Sequence, residues 1–322
     1  MKLVIVGTGI LIPEVQERHV AAVAQIARDA GLEVVGPVSR ELEPETVVDA
    51  DIAFGGLRPN LYAHATKLRW VQTVGAGVDA FLKGPFVTDD VLLTSEKGGV
   101  GPHLAEHAFA LCLALTRGLA IAIRGRRWDT RVAIRNRSWE LTGRTAGLIG
   151  LGGTGVEIAK RAKGFDMRVI AMDPENVPVP PEVEVCWGTD RFHDLLAQSD
   201  VVFVSAPLTA QTRHMFDDKA FAAMKPDSVL INVSRGEIVD GQALLAALES
   251  EHLRAAGLDV TPEEPLPAES PLWDHPHVVV TPHIAGASPK RGDRIVARFE
   301  RNLKHFLAGE PLEGVIDKLK GY

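Results

Sequence analysis

Short, mostly apolar runs alternate along this chain with longer stretches in which apolar positions recur every three or four residues. Leu3–Val6, Leu32–Val35, Ile52–Phe54, Leu68–Thr73 and Val91–Leu93 have strand length and few polar interruptions, the mark of strands covered on both faces. Val15–Ala30 has helical periodicity and is closed by Gly31. The alternation predicts an open parallel sheet with helices on both faces. From Pro102 a stretch apolar nearly all round passes through Ala105, Phe109 and Leu113 to Ile121, which predicts one long buried helix. Further strands are expected up to Ile149 and at Arg168–Met172, Val183–Val185, Asp200–Val204, Ser228–Asn232, Ala255–Asp259 and Val278–Thr281. Helical segments intervene at Phe192–Gln198, Asp217–Met224 and Gly241–Ser250, and an amphipathic helix from Arg291 to Leu307 follows Ala287. The fold class expected is α/β, with two doubly wound parallel-sheet domains. The first would be discontinuous, residues 1–98 and 287–322, around an inserted domain of residues 99–286.

The insert is organised around Thr145 to Asp173. An apolar strand runs into Gly150-Leu151-Gly152-Gly153-Thr154-Gly155, then Val156, Ile158, Ala159 and Ala162 recur at helical spacing, and a second strand stops at Asp173. Glycines at 150, 152 and 155 suit the tight turn, the close approach of a pyrophosphate, and helix–strand packing. The following helix N-terminus offers free N–H groups and a positive dipole end to phosphates. Asp173 stands about 20 residues on, where an acid takes the adenosine ribose hydroxyls and repels a 2′-phosphate, so the unit reads as a Rossmann site for NAD rather than NADP. Gly7-Thr8-Gly9 also follows an apolar strand, but Ile12 holds the third position, Pro13 follows, and no acid-terminated strand stands at the right distance. That turn reads as one without nucleotide.

Charge and composition narrow the picture. A formal charge of −7 on 322 residues argues against a nucleic-acid surface. The one basic run, Arg124, Arg126, Arg127, Arg131, Arg135 and Arg137, reads as a solvated helix end and loop. Cys112 and Cys186 lie in apolar runs without metal-like spacing and read as buried free thiols of a reducing compartment. The apolar start is broken by Gly7, Gly9 and Pro13, with Glu14, Glu17 and Arg18 before any cleavage site, and Leu104–Ile123 carries Glu106, His107 and Arg117. Neither a secretory leader nor a membrane span is expected, and the location expected is cytoplasmic.

Three strand ends carry polar groups that a core would not choose: Asn232-Val-Ser-Arg235-Gly, Gly257-Leu-Asp259-Val-Thr-Pro-Glu-Glu264-Pro, and Val280-Thr-Pro-His283-Ile-Ala-Gly. In a doubly wound sheet these should converge at the carboxyl edge. Arg offers a planar fork to a carboxylate, His exchanges a proton near neutral pH, and a nearby Glu raises the His pKa. Singly, each has an ordinary reading as surface salt bridge, loop charge or cap; jointly they favour a site. The turn Gly75-Ala76-Gly77-Val78 leaves two readings open, a flexible connection or bare amides for a carboxylate. His103 and His107, one helical turn apart around Glu106, lack a third ligand, and no metal is expected.

With these motifs in order, together with Pro102-His-Leu-Ala-Glu-His107, the chain resembles the NAD-dependent D-isomer-specific 2-hydroxyacid dehydrogenases over essentially its whole length. The resemblance implies a flavodoxin-like substrate domain holding the Rossmann insert. It makes Arg235 the substrate-binding group, His283 the acid/base, and Glu264 the residue that orients and charges it. It places Gly150, Gly152, Gly153, Thr154, Gly155, Asp173, Pro207, Val233, Ser234, Arg235, Asp259, His283, Ala285 and Gly286 against NAD, with Asp259 on the nicotinamide carboxamide. Substrate binding falls to Ala76, Gly77, Val78, Arg235 and His283, with the carboxylate on the backbone at Ala76–Val78 and on Arg235. Gly153 stands where many members have Arg, and Ser234 where many have Ala or Gly. Glu264 separates the chain from formate dehydrogenases, which have Gln there, and the end at Tyr322 leaves no room for the regulatory domain of many phosphoglycerate dehydrogenases. A homodimer is implied, and a small 2-keto or 2-hydroxy acid of D configuration as partner. A non-catalytic NAD-sensing scaffold on the same fold is the alternative; a hydrolase using NAD internally, like adenosylhomocysteinase, lacks its extra Lys and Cys here.

Overall fold

The computed structural model describes residues 1–6, 14–38, 44–57 and 59–322. The Gly7–Gly9 turn, with Ile12 and Pro13, lies outside them. The chain divides into two compact units, one of Met1–Val100 with Ala287–Tyr322, the other of Gly101–Gly286.

The first unit opens with β1 (Lys2–Val6), α1 (Glu17–Asp29), β2 (Glu33–Val38), β3 (Ile52–Phe54), α2 (Pro59–Tyr62), β4 (Trp70–Gln72) and β5 (Leu92–Thr94). Its five strands are parallel in the order β2-β1-β3-β4-β5, the flavodoxin-like arrangement. Leu3, Ile5, Phe54 and Trp70 on one face pack under Val20 and Val23 of α1 and under Ile295, Phe299 and Leu303 of the chain's last helix (Arg291–Ala308). Phe299 stacks on Trp70 at 5.7 Å between ring centroids and meets Phe54 edge-on at 5.2 Å. Buried His19 accepts from the Gln16 amide at Nδ1, so its Nε2–H is the group that faces Asp293 at 3.1 Å and joins the two helices. Beyond the last helix, Val315 bridges Thr94 antiparallel and covers the β5 edge.

The second unit begins with α3 (Gly101–Thr116), α4 (Leu119–Gly125) and α5 (Arg131–Arg137). The single helix expected to reach Ile121 is thus two. Gly118 takes φ 68°, and a Cβ there would fall 2.6 Å from Ile134 Cγ2; α3 and α4 meet at 72°. α3 is largely buried against the sheet, whereas α4 buries no residue, so its apolar content is not core. The arginine run is solvated as expected, with Arg124, Arg126, Arg127, Arg131 and Arg135 exposed, and Arg124 also donates to the carbonyls of His275 and Val278 at 3.0 and 2.8 Å.

There follow β6 (Thr145–Ile149), α6 (Gly153–Gly164), β7 (Arg168–Met172), β8 (Val185–Trp187), α7 (Phe192–Gln198), β9 (Val201–Val204), α8 (Asp218–Ala223), β10 (Ser228–Asn232), α9 (Gly241–Glu249), β11 (Leu253–Leu258), α10 (Pro271–Asp274), β12 (Val278–Val280) and α11 (Arg291–Ala308), which belongs to the first unit. The seven strands run parallel in the order β12-β11-β10-β9-β6-β7-β8, reversing direction between β6 and β9. Doubly wound sheets bind ligands at that reversal, beyond the carboxyl ends of the strands. Cys112 is buried and Cys186 only half-buried, and both are free thiols. Among the described residues no single helix is long and apolar enough to cross a membrane.

Candidate active site

The glycine turn leaves β6 at the reversal. Gly150 adopts φ 93°, and a Cβ there would stand 3.1 Å from the backbone of Ala206, just beyond β9. At Gly155 a Cβ would drive into the Gly150 carbonyl oxygen, so α6 starts close to β6 only because glycine is there. At Gly152 nothing lies within 4 Å of a Cβ, which leaves the helix N-terminus open to a phosphate group. Asp173, at the end of β7, accepts from the Leu151 amide at 2.8 Å and from the Glu175 amide at 3.0 Å. Its carboxylate is thereby fixed beside the turn. These features fit a dinucleotide: an open helix end for the pyrophosphate, and an anchored acid for the ribose.

Beyond β10, buried Asn232 folds the chain back on itself. Its Oδ1 accepts from Ser234 N at 3.0 Å and its Nδ2 donates to Arg235 O at 2.9 Å. The Ser234 hydroxyl donates to the carbonyl of Ala206, tying this turn to the one against which Gly150 packs. Arg235 is half-buried, with Nη1 donating to Ser234 O at 2.9 Å. Gly236 lies so close to the Thr261 carbonyl that no Cβ fits. That contact brings the β10 and β11 turns together, and the Arg-Gly pair in the sequence therefore has a packing reason as well as a chemical one.

Beyond β11, Glu264 Oε1 accepts from Thr261 N at 3.1 Å, leaving Oε2 directed at His283 Nδ1, 2.8 Å away. His283 sits beyond β12 with φ 54°, a left-handed conformation that costs a non-glycine residue about 1–3 kcal/mol. The hydrogen bond to Glu264 raises the His283 pKa; burial opposes it, and Glu264's charge and Asp259 add to it against Arg235. Burial pushes Glu264 upward, but the bonds from His283 and Thr261 and the charges of His283 and Arg235 outweigh it and hold the carboxyl low. Together these favour an imidazolium–carboxylate pair. The pair is partly exposed, the side chains being 50% and 37% accessible.

Asp259, 2% exposed, is held by groups on several sides. Its Oδ1 accepts from Thr281 Oγ1 at 2.7 Å and Ile284 N at 2.9 Å, its Oδ2 from Ala285 N at 2.9 Å, and His107 Nε2 lies 3.3 Å from Oδ1. His107 also contacts Thr281 Oγ1 at 2.8 Å. Helix packing, the sequence reading of His107, is therefore incomplete. Thr281, Thr261, Gly236 and His107 all shape the site and escaped sequence reasoning as its members. Of these only Gly236 carried a local signal, as a glycine directly after a polar strand end. Pro207, Val233 and Ala285 lie on the same carboxyl edge, and Pro207 O accepts from Thr212 Oγ1 at 2.7 Å. Ala76, Gly77 and Val78 belong to the first unit, on the turn after β4. Among the described residues their amides donate to no backbone acceptor, while Gly75 O is fixed by Glu96 N at 3.0 Å and Thr73 Oγ1 at 3.0 Å. No group of three or more His, Cys, Asp or Glu among the described residues could hold a metal ion.

Comparison with known proteins identifies the family. Residues 109–285 match the family described as D-isomer specific 2-hydroxyacid dehydrogenase, NAD binding domain. An (S)-sulfolactate dehydrogenase of Chromohalobacter salexigens is 34% identical over 288 residues, 85% of this chain and 91% of that one. An NADPH-dependent glyoxylate/hydroxypyruvate reductase from Sinorhizobium meliloti, solved with NADP and sulfate, superposes with a TM-score of 0.80 at 28% identity, covering 100% and 99% of the two chains. An NAD-dependent formate dehydrogenase from Staphylococcus aureus, solved with NAD, gives 0.76 at 26% identity, covering 98% and 99%. The chain belongs to the D-isomer specific 2-hydroxyacid dehydrogenase family and is an NAD(P)-dependent hydroxyacid dehydrogenase.

Proposed function

We propose that the chain reduces a small 2-keto acid to the D-2-hydroxy acid with NADH, using His283 as the acid, Glu264 as its partner and Arg235 as the substrate clamp. The observation that carries this reading is the 2.8 Å contact between His283 and Glu264 beside Arg235, on adjacent strand ends. Gly150, Gly152, Gly153, Thr154 and Gly155 would hold the pyrophosphate and Asp173 the ribose hydroxyls; the nicotinamide, once bound, supplies the hydride. Arg235 orients the carboxylate and polarises the ketone. His283 Nε2 gives its proton to the carbonyl oxygen as it becomes hydroxyl, and Glu264 stabilises the imidazolium beforehand. Asp259 Oδ2, which accepts one amide, has capacity left for a carboxamide N–H. On the first unit we assign the amides of Ala76, Gly77 and Val78, which donate to no backbone acceptor among the described residues, to a carboxylate, which makes that unit the substrate domain and Gly101–Gly286 the cofactor domain.

NAD is preferred over NADP in this reading because an anchored carboxylate at 173 opposes a 2′-phosphate. We also propose a homodimer, supported by exposed Ile123 on α4, Trp128 in the connection that follows and Val132 on α5 (71%, 86% and 64% accessible). A cytoplasmic location is supported by the two free thiols. The deciding experiment is His283→Ala. NADH binding, followed by fluorescence titration, should be nearly unchanged, and turnover with a panel of keto acids should fall about 10²–10⁴-fold. Wild-type turnover in that variant would remove His283 from the chemistry. Wild-type protein that binds NADH but oxidises it with none of the panel would favour the sensing scaffold.

A further inference from the structure

We infer that His107 and Thr281 are positioning residues for His283, acting through a directed hydrogen-bond relay into Asp259. The inference rests on the reading of His283 as the acid, and concerns what holds that residue in place.

The relay has a fixed direction. Thr281 Oγ1 stands 2.7 Å from Asp259 Oδ1 and 2.8 Å from His107 Nε2, and a hydroxyl has one proton to give. Asp259 is an obligate acceptor when ionised, and its hydrogen bonds hold its carboxyl below the usual range despite burial, which alone would raise it. Thr281 therefore donates to Asp259, and His107 Nε2 must carry the proton that Thr281 accepts. The 3.3 Å approach of His107 Nε2 to Asp259 Oδ1 is consistent only with a protonated nitrogen, since a lone pair there would face a carboxylate.

What the relay holds is the backbone around His283. Asp259 takes the side chain of Thr281 on one side of His283 and the amides of Ile284 and Ala285 on the other, while its own carbonyl accepts from His283 N at 2.8 Å. The left-handed φ of 54° at His283 is thus clamped from both flanks by one buried carboxylate. His107, on α3, braces that carboxylate from a separate element and limits how Thr281 turns. Loosening the brace lets the turn relax and carries Nδ1 away from Glu264. The charged groups facing His283 are Glu264, Asp259 and Arg235. Of these only Glu264 is in hydrogen-bond contact with its ring, so a shifted turn weakens the contact that most favours the imidazolium.

The test pairs NMR with kinetics. In histidine-labelled wild-type protein without substrate, the long-range nitrogen–proton spectrum should show His107 protonated at Nε2 near neutral pH, with the signal assigned by its loss in His107→Gln. An unprotonated Nε2 overturns the relay directly, whatever His283 does. Thr281→Val keeps the shape and removes the hydroxyl. It should lower kcat for keto-acid reduction roughly 10- to 100-fold, the scale of an ångström-sized misplacement. It should also move the His283 titration seen by NMR, and the high-pH limb of the rate, to lower pH. Thr281→Ser should restore both. A purely structural role would lower the melting temperature while leaving titration and limb in place, and that result overturns the inference. If His283→Ala turns over normally, the assignment of the acid fails instead, and the NMR titration of His283 in Thr281→Val still judges the relay.

Discussion

Glu264 and Gln differ by one charge, and with His283 as the acid proposed above that charge would set the working pH. Reduction consumes an imidazolium, so activity should be full below the His283 pKa and be lost as pH rises through it. The hydrogen bond to Glu264 places that pKa above the ordinary imidazole value. Glu264→Gln keeps a bond to the ring and removes the charge, so the high-pH limb of kcat/KM for reduction should move to lower pH; an unmoved limb would show that another group titrates. Asp173 carries a similar single-residue prediction. The NADH/NADPH ratio of kcat/KM should exceed one, and Asp173→Ala should narrow it about tenfold or more, since a repulsion of 1.4 kcal/mol already has that effect. Residues such as these were legible in the sequence because each follows the carboxyl end of a strand, Asp173 directly after β7 and Glu264 on the turn beyond β11, in a polar segment that a core would not choose. His107 was not. Its partner Thr281 stands 174 positions away, and nothing local distinguishes a bracing histidine from a packed one.

At the scale of elements, glycines decide where strands may turn and how closely the turns approach. Gly155→Ala should push α6 off β6, destabilising the protein by about 1–3 kcal/mol and weakening NADH binding, which thermal melts and fluorescence titration would measure together. The element order was readable from periodicity almost throughout, and strand ends shifted by only a few residues. The failure was the helix from Pro102. Leu119, Ile121 and Ile123 continue the apolar rhythm past Gly118, and periodicity does not distinguish apolar residues facing a core from those left exposed. The break lies in the backbone of one glycine and in Ile134, which comes to rest against it.

At the scale of the molecule, the first unit is made of two distant pieces of chain, joined where α11 packs on α1 and on the sheet residues Leu3, Ile5, Phe54 and Trp70, and where Val315 bridges Thr94. Gly292 shows how tightly they fit: a Cβ there would enter the His19 ring. Gly292→Ala should therefore lower stability by about 1–3 kcal/mol in urea titration, and an unaffected midpoint would mean that the helices part without loss. That junction also has a consequence in time. On the ribosome the strands carrying Leu3, Ile5, Phe54 and Trp70 emerge first, but Ile295, Phe299 and Leu303, which cover them, emerge near the end. The β5 edge likewise waits for Val315. Residues 101–286, whose sheet draws on no later segment, can complete their fold in the interval, while the earliest strands stay uncovered and open to chaperones or to one another. Nascent chains arrested before Ala287 should then yield a protease-resistant fragment from the later-made unit alone, with the N-terminal strands digested.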